Sequence, residues 1–585
     1  MTIVTIGGGP AGLYFALLAK RANPARDVVV LERNRADATF GWGVVFSDQT
    51  LGNLVAADEQ TARTILQSFN HWDDIDVHFR GRTITSGGHG FCGIGRKRLL
   101  NILQARCEEL GVRLVFETDV SDDQATAAQY DADLVVACDG LNSRVRTRYA
   151  GTYRPDIDTR NCRFVWLGTK KKFDAFTFAF EETAHGWFQA HCYQYDGDTS
   201  TFIVETPEEV WRASGLDEMS QEEAIAFCEK LFARYLDGNA LLSNASHLRG
   251  SAMWIKFPRI VCEEWVQWNT IDGRRVPVVL MGDAAHTAHF SIGSGTKLAL
   301  EDAIELARCF TQQDGGGIGK VLASYQGLRS VEVLKLQSAA RNSMEWFENV
   351  KRYTAMEAEQ FAYSMLTRSQ RLSHENLRVR DPEYVGRFEE WIAGRAFEQA
   401  GLPMPAHAAG IPPMLTPFRL RGTVLKNRIV VSPMAQYSAE GGTVGDFHMV
   451  HLGSRALGGA GMVFAEMTCV SADARITPGC PGLYEPGHTL AWKRIVDFFH
   501  NSSDAKIAIQ LGHAGAKGST RRAWDGTDLP LEDGNWPLVS ASSQQYLEGV
   551  SQVAREATRE DLERIRNDFV RAAGEAQKSL PEIIP

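Results

Sequence analysis

The feature that most constrains this chain is a glycine-rich turn directly after its first apolar stretch. The sequence MTIVTIGGGPAGLYFALLAK predicts a short buried strand over residues 3–6 and a helix from Leu13 to Lys20. Between them, Gly7, Gly9 and Gly12 fit the pattern G-x-G-x-x-G. In such a turn the first glycine permits the sharp bend. The second lets a pyrophosphate approach the backbone, and the third lets the helix and strand pack closely.

A second strand and its last residues support a dinucleotide site at this turn. The segment DVVVLER predicts another buried strand, and Glu32 lies near its end, 20 residues after Gly12. An acidic residue at that distance accepts hydrogen bonds from an adenosine ribose, and the N-terminus of the preceding helix binds phosphates. This order predicts a dinucleotide-binding α/β unit. A glycine turn in an ordinary α/β domain is the alternative.

Length and composition bound the number of domains and the class of protein. A chain of 585 residues exceeds what one hydrophobic core usually holds, so we expect two to four folding units. The net charge of −10 argues against general nucleic-acid binding. We expect no metal site, because the histidines lack metal-ligand spacing, and no membrane span, because no long apolar run occurs.

Cysteine usage and the N-terminus predict the cellular compartment. The ten cysteines have no C-x-x-C spacing, so we expect reduced, mostly buried thiols of a cytoplasmic protein. The first predicted strand leaves no room for a signal peptide.

The amino-acid composition of the sequence changes near residue 402. Residues 1–370 alternate strands and helices and end in a long helical tract, and residues 371–411 form a helical segment and a linker rich in Pro, Ala and Gly. Residues 412–585 alternate again, with strands NRIVVSPM, GMVFAEMTCV and KIAIQLGHAG separated by helical patterns. Such alternation favours a β/α barrel, of which three strands are evident.

Two later segments each carry a strand that ends in an aspartate. LVVACDGLNSRVR places Asp139 at the end of its strand, and VPVVLMGDAAHTAHFSIGSGTKLALEDAIELA places Asp283 there. An aspartate in this position can bind a ribose or ribitol hydroxyl. In the second segment Gly293 and Gly295 precede a long helix, whose N–H groups and positive dipole end favour an anion. A reduced flavin, which is negative near its N1 atom, suits that helix.

Together these motifs resemble single-component FAD aromatic hydroxylases of the para-hydroxybenzoate hydroxylase type. The motifs are G-x-G-x-x-G, D-G-x-x-S-x-x-R, G-D-A-A-H and IGRKRLLNIL, which supplies the family's FAD-binding arginine as Arg96. The resemblance implies a Rossmann-like FAD domain with an interleaved β-sheet substrate domain and C-terminal helices. It also implies that NAD(P)H reduces the FAD without a Rossmann domain of its own. The cofactor-binding residues it implies are Gly7, Gly9, Gly12, Glu32, Arg33, Arg96, Asp139, Asp283, Gly293, Gly295 and Thr296.

A closer resemblance is to salicylyl-CoA 5-hydroxylases and 2-aminobenzoyl-CoA (anthraniloyl-CoA) monooxygenase/reductases. It is carried by FGWGVVFSDQTLGNL, SGGHGFCGIGRKRLLNILQARCEELGV and HTAHFSIGSGTKLALEDAI, among other stretches. Those proteins fuse an FAD hydroxylase to an old-yellow-enzyme-like FMN barrel. The resemblance implies hydroxylation of an aryl-CoA para to its OH or NH2 group, through a C4a-hydroperoxyflavin formed with NAD(P)H and O2. A homodimer is expected, and nucleic acid and membrane are not expected as partners.

The second half resembles part of an old-yellow-enzyme barrel. SPMAQYSAEGG and IQLGHAG match its first and third strands, which implies FMN contacts from Pro433, Met434, Ala435 and Gln510, with Tyr437 in the substrate pocket. The family's histidine pair and late phosphate-binding loops do not appear, and a closed barrel needs eight strands. An incomplete (β/α)8 barrel leaves strand edges unpaired. We therefore expect no reductase activity from this half, and FMN binding is left open.

Several histidines are candidates for acid–base chemistry. His286 and His289 follow the G-D-A-A-H strand, and we predict a substrate or proton-relay role for His289 and a catalytic or structural role for His286. His89 and His191 are further pocket candidates. The cluster Lys170–Lys172 either holds CoA phosphates or is a solvated turn. The alternative functions are an FAD dehydrogenase or reductase without oxygen insertion, and a flavin-binding gene fragment without activity.

Overall fold

The computed structural model describes residues 1–36, 38, 41–243, 254–312, 317–406 and 410–579, and for 47–50 the backbone alone. The chain divides into two compact units, Met1–Val385 and Gly386–Pro585. Both units mix strands and helices, so the predicted α/β class is confirmed. The ranges 1–370, 371–411 and 412–585 stay predictions.

Strands and helices alternate along the first unit. Its strands are β1 (Thr2–Ile6), β2 (Asp27–Leu31), β3 (Gly43–Ser47), β4 (Asn70–Trp72), β5 (Ile75–Phe79), β6 (Arg82–Ser86), β7 (Phe91–Gly95), β8 (Arg113–Val115), β9 (Leu134–Ala137), β10 (Pro155–Thr169), β11 (Phe176–Thr183), β12 (Gly186–Gln194), β13 (Ser200–Pro207), β14 (Leu241–Leu242), β15 (Ile255–Cys262), β16 (Val266–Ile271) and β17 (Arg274–Leu280). Its helices are α1 (Pro10–Ala22), α2 (Asp48–Ala57), α3 (Glu59–Leu66), α4 (Arg96–Leu110), α5 (Asp123–Gln129), α6 (Arg144–Arg148), α7 (Ala150–Tyr153), α8 (Glu208–Ala213), α9 (Gln221–Leu231), α10 (Ala233–Leu236), α11 (Gly295–Gln312), α12 (Gly317–Glu348), α13 (Ala358–Thr367) and α14 (His374–Arg380), while α15 (Pro382–Ala400) spans the boundary between the units.

A six-stranded sheet that contains β1 forms one half of the first unit. Its order is β16-β17-β9-β1-β2-β8, with β16 antiparallel at one edge and the other five strands parallel. Strand β9 is buried at every position, as expected where both faces of a parallel sheet are covered. Parallel strands end on the same side, so Gly7, Glu32, Asp139 and Asp283 all follow strands along one edge.

A second, mostly antiparallel sheet is interleaved with the first along the chain. Its order is β14-β10-β13-β12-β11-β5-β6, and β15 also pairs with β10. Because side chains alternate between faces of a strand, β10–β13 present two different surfaces. One surface packs its apolar side chains, such as Val165 and Phe202, with residues of α8–α10. The other, called here the site face, carries Phe164, His191 and Glu205.

The second unit repeats a strand–helix pattern. Three strands, β20 (Val430–Val431), β21 (Met462–Cys469) and β22 (Lys506–Gly512), pair side by side in parallel. The helices α16 (Asp446–Leu457) and α17 (Pro486–Ser502) lie between them along the chain, as in consecutive units of a β/α barrel. The alternation predicted from the sequence is therefore confirmed. The strands are β18 (Phe418–Leu420), β19 (Thr423–Leu425), β20 (Val430–Val431), β21 (Met462–Cys469), β22 (Lys506–Gly512), β23 (Val539–Ser540), β24 (Gln544–Gln545) and β25 (Val553–Glu556), and the helices are α16 (Asp446–Leu457), α17 (Pro486–Ser502), α18 (Ala523–Gly526) and α19 (Arg559–Ser579).

The structure can be compared with two expectations drawn from composition, one on the state of the cysteines and one on membrane-spanning helices. All ten cysteines are buried free thiols, which confirms that part of the prediction. In the described part of the chain, no helix combines the length and apolar character needed to cross a bilayer.

Candidate functional site

A large cavity lies in the first unit where the carboxyl ends of the parallel strands meet the second sheet. Its volume is about 1730 Å³, whereas small-molecule sites usually measure roughly 300–1,000 Å³. It therefore has room for a dinucleotide and a second molecule. Its described walls include the glycine-rich turn, the loop after β17, the start of α11 and the site face of the second sheet.

The three glycines of the first motif meet different surroundings. Gly7 has φ +108°, and a Cβ there would lie 2.2 Å from the carbonyl oxygen of Cys138. A Cβ on Gly12 would lie 2.2 Å from the carbonyl oxygen of Gly7. A Cβ on Gly9 would meet nothing within 4 Å, and Gly9 lines the cavity. Gly7 and Gly12 are thus required by backbone packing, while Gly9 keeps the approach to the cavity open.

Glu32 links the glycine-rich turn to the end of β2 through hydrogen bonds. Its Oε2 atom accepts a hydrogen bond from the Gly8 N–H at 2.8 Å, and its Oε1 atom accepts one from the Asn34 N–H at 2.8 Å. Arg33 and Asn34 line the cavity beside it. A direct ribose contact from Glu32 stays a prediction.

Arg96 and Asp283, far apart in the sequence, both line the cavity. Arg96 is half-buried, and its Nε atom has no hydrogen-bond partner among the described residues. Desolvation lowers the pKa of Arg96 and raises that of Asp283, while each charge partly offsets the effect on the other. An unpartnered guanidinium N–H in the same cavity as Gly9 fits the diphosphate of FAD, and Asp283 fits a sugar hydroxyl; these contacts stay predictions.

The start of α11 faces the same cavity. Gly293, Ser294, Gly295 and Thr296 all line it, and Gly293 has the left-handed φ of +63°. The first N–H groups of a helix lack intrahelical acceptors and carry a partial positive charge. This end of the cavity therefore fits the electron-rich pyrimidine ring of a flavin, and contact between these residues and a flavin stays a prediction.

The D-G-x-x-S-x-x-R segment links two loops of the site through hydrogen bonds to their backbone. Arg146 donates hydrogen bonds to the carbonyl oxygens of Ala284 at 3.0 Å and Leu141 at 2.7 Å. It thereby ties the loop after β9 to the turn after β17. Asp139 accepts hydrogen bonds from the N–H groups of Arg144 and Val145 through Oδ2, while its Oδ1 has no hydrogen-bond partner in the described chain.

His286 lies behind the cavity and is not among its described lining residues. Its Nε2 atom is 2.7 Å from Oδ2 of Asp302, which also accepts a hydrogen bond from the Gly282 N–H at 3.0 Å. Arg329 Nε donates to the other oxygen of Asp302 at 2.8 Å. These contacts anchor the turn after β17 to α11 and α12. A catalytic role for His286 stays a prediction.

The site face of the second sheet gives the cavity an aromatic end that the sequence analysis did not identify. Alternate positions on β10, β11 and β12 point the same way, and this two-residue period is the signal that could have located them. With residues of β13, β15 and the loop before α11, they form an aryl chamber, which we define as Phe164, Trp166, Phe176, His191, Tyr193, Ile203, Phe257 and Phe290.

A buried carboxylate stands between two histidines at this end. Oε2 of Glu205 is 3.2 Å from Nε2 of His191, and Oε1 is 3.5 Å from Nε2 of His289. His191 lines the cavity, and its Nδ1 atom has no hydrogen-bond partner among the described residues. His289 is not among the described lining residues, and its Nδ1 atom is 2.9 Å from Oγ of Ser291. Glu205 was missed by sequence reasoning because nothing near it in sequence marks it.

The pKa values at this cluster follow from burial and from the neighbouring groups. Burial lowers the pKa of His191 below its ordinary value, although Glu205 raises it in part. Burial raises the pKa of Glu205, but the interactions with His191 and His289 outweigh it and bring the pKa to about 2. The cluster near neutral pH therefore consists of an ionised carboxylate and a neutral His191 imidazole.

The remaining candidates of the first unit lie outside the described lining of the cavity. His89 is buried, and its Nε2 atom is 2.9 Å from Oγ of Ser86. Lys170 donates to Oγ1 of Thr199 at 3.2 Å, and Lys171 forms an ion pair with Asp237. A role for these lysines toward CoA stays a prediction.

In the second unit, the residues predicted to contact FMN lie toward the carboxyl ends of the parallel strands. Pro433, Met434 and Ala435 follow β20, and Gln510 lies on β22 with an exposed side chain. The Tyr437 N–H and that of its neighbour Gln436 approach Oε2 of Glu466 on β21 at 3.3 and 2.7 Å. Their roles toward FMN stay predictions.

Comparison with known proteins relates both units to flavoproteins. Residues 1–335 match the FAD binding domain family, and residues 413–580 match the NADH:flavin oxidoreductase / NADH oxidase family. Salicyloyl-CoA 5-hydroxylase of a Streptomyces species is 40% identical over 430 residues, which are 72% of this chain and 77% of the relative. The 3-hydroxy-4-methyl-anthranilyl-(aryl-carrier protein) 5-monooxygenase of Streptosporangium sibiricum is 34% identical over 347 residues, 59% of this chain and 89% of the relative. An NADH:flavin oxidoreductase of Gibberella zeae is 37% identical over 186 residues, 31% of this chain and 45% of the relative.

Proposed function

Because the chain belongs to the FAD binding domain family, we propose that it hydroxylates the ring of an aryl thioester of coenzyme A. The relatives of this chain are aromatic monooxygenases, and FAD-dependent aromatic hydroxylation with O2 is therefore its activity. The fusion to an NADH:flavin oxidoreductase domain is confirmed. The identity of the thioester is the proposal. Salicylyl-CoA and anthraniloyl-CoA are the candidate substrates, since one relative is named for salicyloyl-CoA and another for a carrier-bound anthranilyl group.

The observation that carries the proposal is one continuous cavity that joins the residues predicted to bind the flavin to the aryl chamber. Arg96 and Asp283 line one part of it, and Trp166 and Phe176 line another. An aromatic ring in the chamber would therefore share a single space with the flavin. Apolar walls also exclude water, which protects reactive oxygen species from wasteful breakdown to peroxide.

The chemistry divides between the cofactor and the protein. When bound, FAD supplies the activation of O2 with electrons from NAD(P)H. The protein holds the ring, excludes water and accepts protons. Overall, one aryl C–H, O2, NAD(P)H and a proton give one aryl C–OH, NAD(P)+ and water. A hydroxyl or amino substituent donates electrons to the para carbon, which is why we propose that position for the new hydroxyl group.

The test uses the full chain loaded with FAD. Salicylyl-CoA or anthraniloyl-CoA is incubated with NADH or NADPH and isotopically labelled O2, and the thioester is analysed by mass spectrometry. The expected product carries one labelled oxygen atom para to the original substituent. Benzoyl-CoA, which lacks the activating group, is the matched control and should not be hydroxylated.

Other results would favour the alternatives. Substrate oxidation without labelled oxygen would indicate an FAD dehydrogenase or reductase. Equal NAD(P)H consumption and peroxide release with every thioester, or none at all, would contradict the proposal and favour a flavin-binding protein without this activity. We also propose a homodimer in solution, which light scattering of the FAD-loaded chain would test.

A further inference from the structure

We propose that His191 and Glu205 form a catalytic dyad in which His191 takes the proton of the ring hydroxyl of a bound phenolic substrate. Glu205 is the positioning residue that orients the imidazole and stabilises the imidazolium. The inference rests on the proposed function in that the substrate is an aromatic ring with an ionisable hydroxyl group. It differs from the sequence-based expectation, which favoured His289 for the proton-relay role.

The hydrogen-bond pattern of His191 leaves one nitrogen able to accept a proton. Its Nε2 atom is 3.2 Å from Oε2 of Glu205, and a carboxylate can only accept in that bond. The neutral ring must therefore carry its hydrogen on Nε2 and its lone pair on Nδ1. Nδ1 is buried without a hydrogen-bond partner among the described residues, and His191 lines the cavity. A buried acceptor without a partner, on a side chain that lines a cavity, points to a ligand with a donor.

The aromatic neighbours of His191 hold its ring in place. Its centroid lies 4.7 Å from that of Phe347, 5.1 Å from that of Phe178 and 5.5 Å from that of Phe290. His191 is 1% exposed and Glu205 is 0% exposed. The dyad is therefore rigid and dry, and in a dry site a fixed carboxylate stabilises the imidazolium far more than it would in water.

The charged and titratable groups that face the dyad are His289, Arg368 and Cys162. Burial lowers the pKa of the Arg368 guanidinium to about 9, with Glu205 opposing that effect. Arg368 donates to Oγ of Ser343 at 2.8 Å. Burial raises the pKa of the Cys162 thiol well above its ordinary value, so the thiol is neutral. The carboxylate of Glu205 is therefore the one anion of this group, and it is shared by the two histidines.

His289 acts on the dyad from the side away from the cavity. Its Nε2 atom is 3.5 Å from Oε1 of Glu205, and its Nδ1 atom is 2.9 Å from Oγ of Ser291. Ser291 Oγ is in turn 2.8 Å from Oγ of Ser343. The imidazole of His289 therefore lies beside the second oxygen of Glu205, while the first oxygen contacts His191.

The proposed step balances as a proton transfer. The substrate O–H bond breaks, its electron pair stays on the oxygen, and the proton binds Nδ1 of His191. The resulting phenolate donates electron density to the carbon para to it, which activates that carbon toward an electrophilic oxygen. The positive imidazolium lies against the ionised carboxylate of Glu205.

The first measurement is the ionisation of a bound phenol, which does not require turnover. FAD-loaded protein is mixed with salicylyl-CoA without NAD(P)H, and phenolate absorbance is recorded against pH. We expect phenolate to appear on wild-type protein at a lower pH than in solution. In His191→Gln it should appear no earlier than in solution. The same titration with para-nitrophenol tests the dyad separately, so that failure to bind salicylyl-CoA alone contradicts only the proposed thioester.

The second measurement is the pH profile of kcat/KM with the hydroxylated thioester. His191→Gln should lower kcat by about 10²-fold or more, the usual contribution of a general base. Because neutral His191 is the active form, the wild-type profile should fall as the pH drops through its lowered pKa, which lies below 6.5. Glu205→Gln removes the group that raises this pKa, so the acid limb should move to lower pH while kcat falls.

A matched control separates these effects from the loss of any buried carboxylate. Asp58→Asn removes a buried acid that pairs with Arg21 and Arg106 in the same unit and does not line the cavity, and it should keep the wild-type pH profile. Unchanged phenolate formation in His191→Gln would overturn the proposal, as would an unmoved acid limb in Glu205→Gln. If Glu205→Gln fails to fold, His191→Gln, which keeps an amide donor toward Glu205, decides the question with both phenols.

Discussion

Gly7, Gly9 and Gly12 belong to one motif but are held in place by different forces. The positive φ of Gly7 and the 2.2 Å approach to Cys138 leave no space for a side chain, whereas a Cβ on Gly9 would project into open cavity. Backbone conformation is thus the constraint at Gly7, and access for a ligand is the constraint at Gly9. The two positions can be separated experimentally.

We predict that Gly7→Ala and Gly9→Ala have different consequences. Gly7→Ala should lower the free energy of unfolding of FAD-free protein by about 2–4 kcal/mol, because it combines strain with a backbone clash. Gly9→Ala should leave that free energy within about 0.5 kcal/mol of wild type but weaken FAD binding at least tenfold. Urea unfolding and FAD titration by fluorescence measure the two quantities. Equal destabilisation by both substitutions would contradict the assigned roles.

At the scale of elements, the turn after β17 is held by side chains from α11 and α12. Asp302 on α11 accepts a hydrogen bond from the Gly282 N–H in the turn and one from Arg329 on α12. Burial raises the pKa of Asp302, but His286 and Arg329 outweigh it, so the pKa lies below the ordinary value of 3.8. Asp302 is fully buried, so its charge is compensated only by these partners.

We predict that Asp302→Asn is strongly destabilising in a pH-dependent way. Removing one partner of a buried ion pair typically costs about 3–5 kcal/mol. A depressed carboxyl pKa gives stability that is present in full above the ordinary value of 3.8 and is lost as the pH falls through the lower native value. The difference in unfolding free energy between wild type and Asp302→Asn should therefore be constant from neutral pH to about 5 and shrink below it.

Urea unfolding of FAD-free protein at several pH values measures this difference. Asp131→Asn, which breaks an exposed ion pair with Arg274, is the control and should change stability by less than about 1 kcal/mol at every pH. A difference for Asp302→Asn that grew on acidification would contradict the assigned ionisation.

At the scale of the whole molecule, the described residues of the two units differ in how well they could hold a flavin. The first unit surrounds a cavity of about 1730 Å³ with glycines, Arg96 and a helix N-terminus. In the second unit, the described parallel sheet has three strands, and Gln510 on its last strand is exposed. A barrel site is formed by loops from eight strands.

We predict that the purified 585-residue chain binds one FAD and less than stoichiometric FMN. Chromatography of the flavins released after denaturation, with both cofactors supplied during reconstitution, measures this ratio. Gln510→Ala should leave the FAD content unchanged because Gln510 belongs to the other unit. Stoichiometric FMN that is lost in Gln510→Ala would show that the second unit holds its own cofactor.

Local sequence patterns determined much of this protein. The order of strand, glycine turn, helix and acidic residue predicted the parallel sheet around β1, because each of those steps depends on neighbouring residues. The strand–helix alternation after residue 412 was likewise predicted and then confirmed by β20, β21 and β22. Arg96 and Asp283 were predicted to bind the flavin through a family resemblance, and both line the cavity.

Only the tertiary structure decided what stands opposite the flavin-binding edge. Trp166, His191 and Glu205 come from three different strands, and their approach depends on which strands pair and which face each side chain takes. A one-residue change of register would turn Trp166 or His191 away from the cavity, and Glu205 away from His191. His191 and His289 both approach Glu205, and His286 approaches Asp302. Each of these carboxylates lies at least 14 residues from its histidine in the sequence, so the pairs could not be predicted from local pattern. The sequence therefore determined that the chain contains a dinucleotide-binding fold, whereas the pairing of strands determined which histidine faces the cavity.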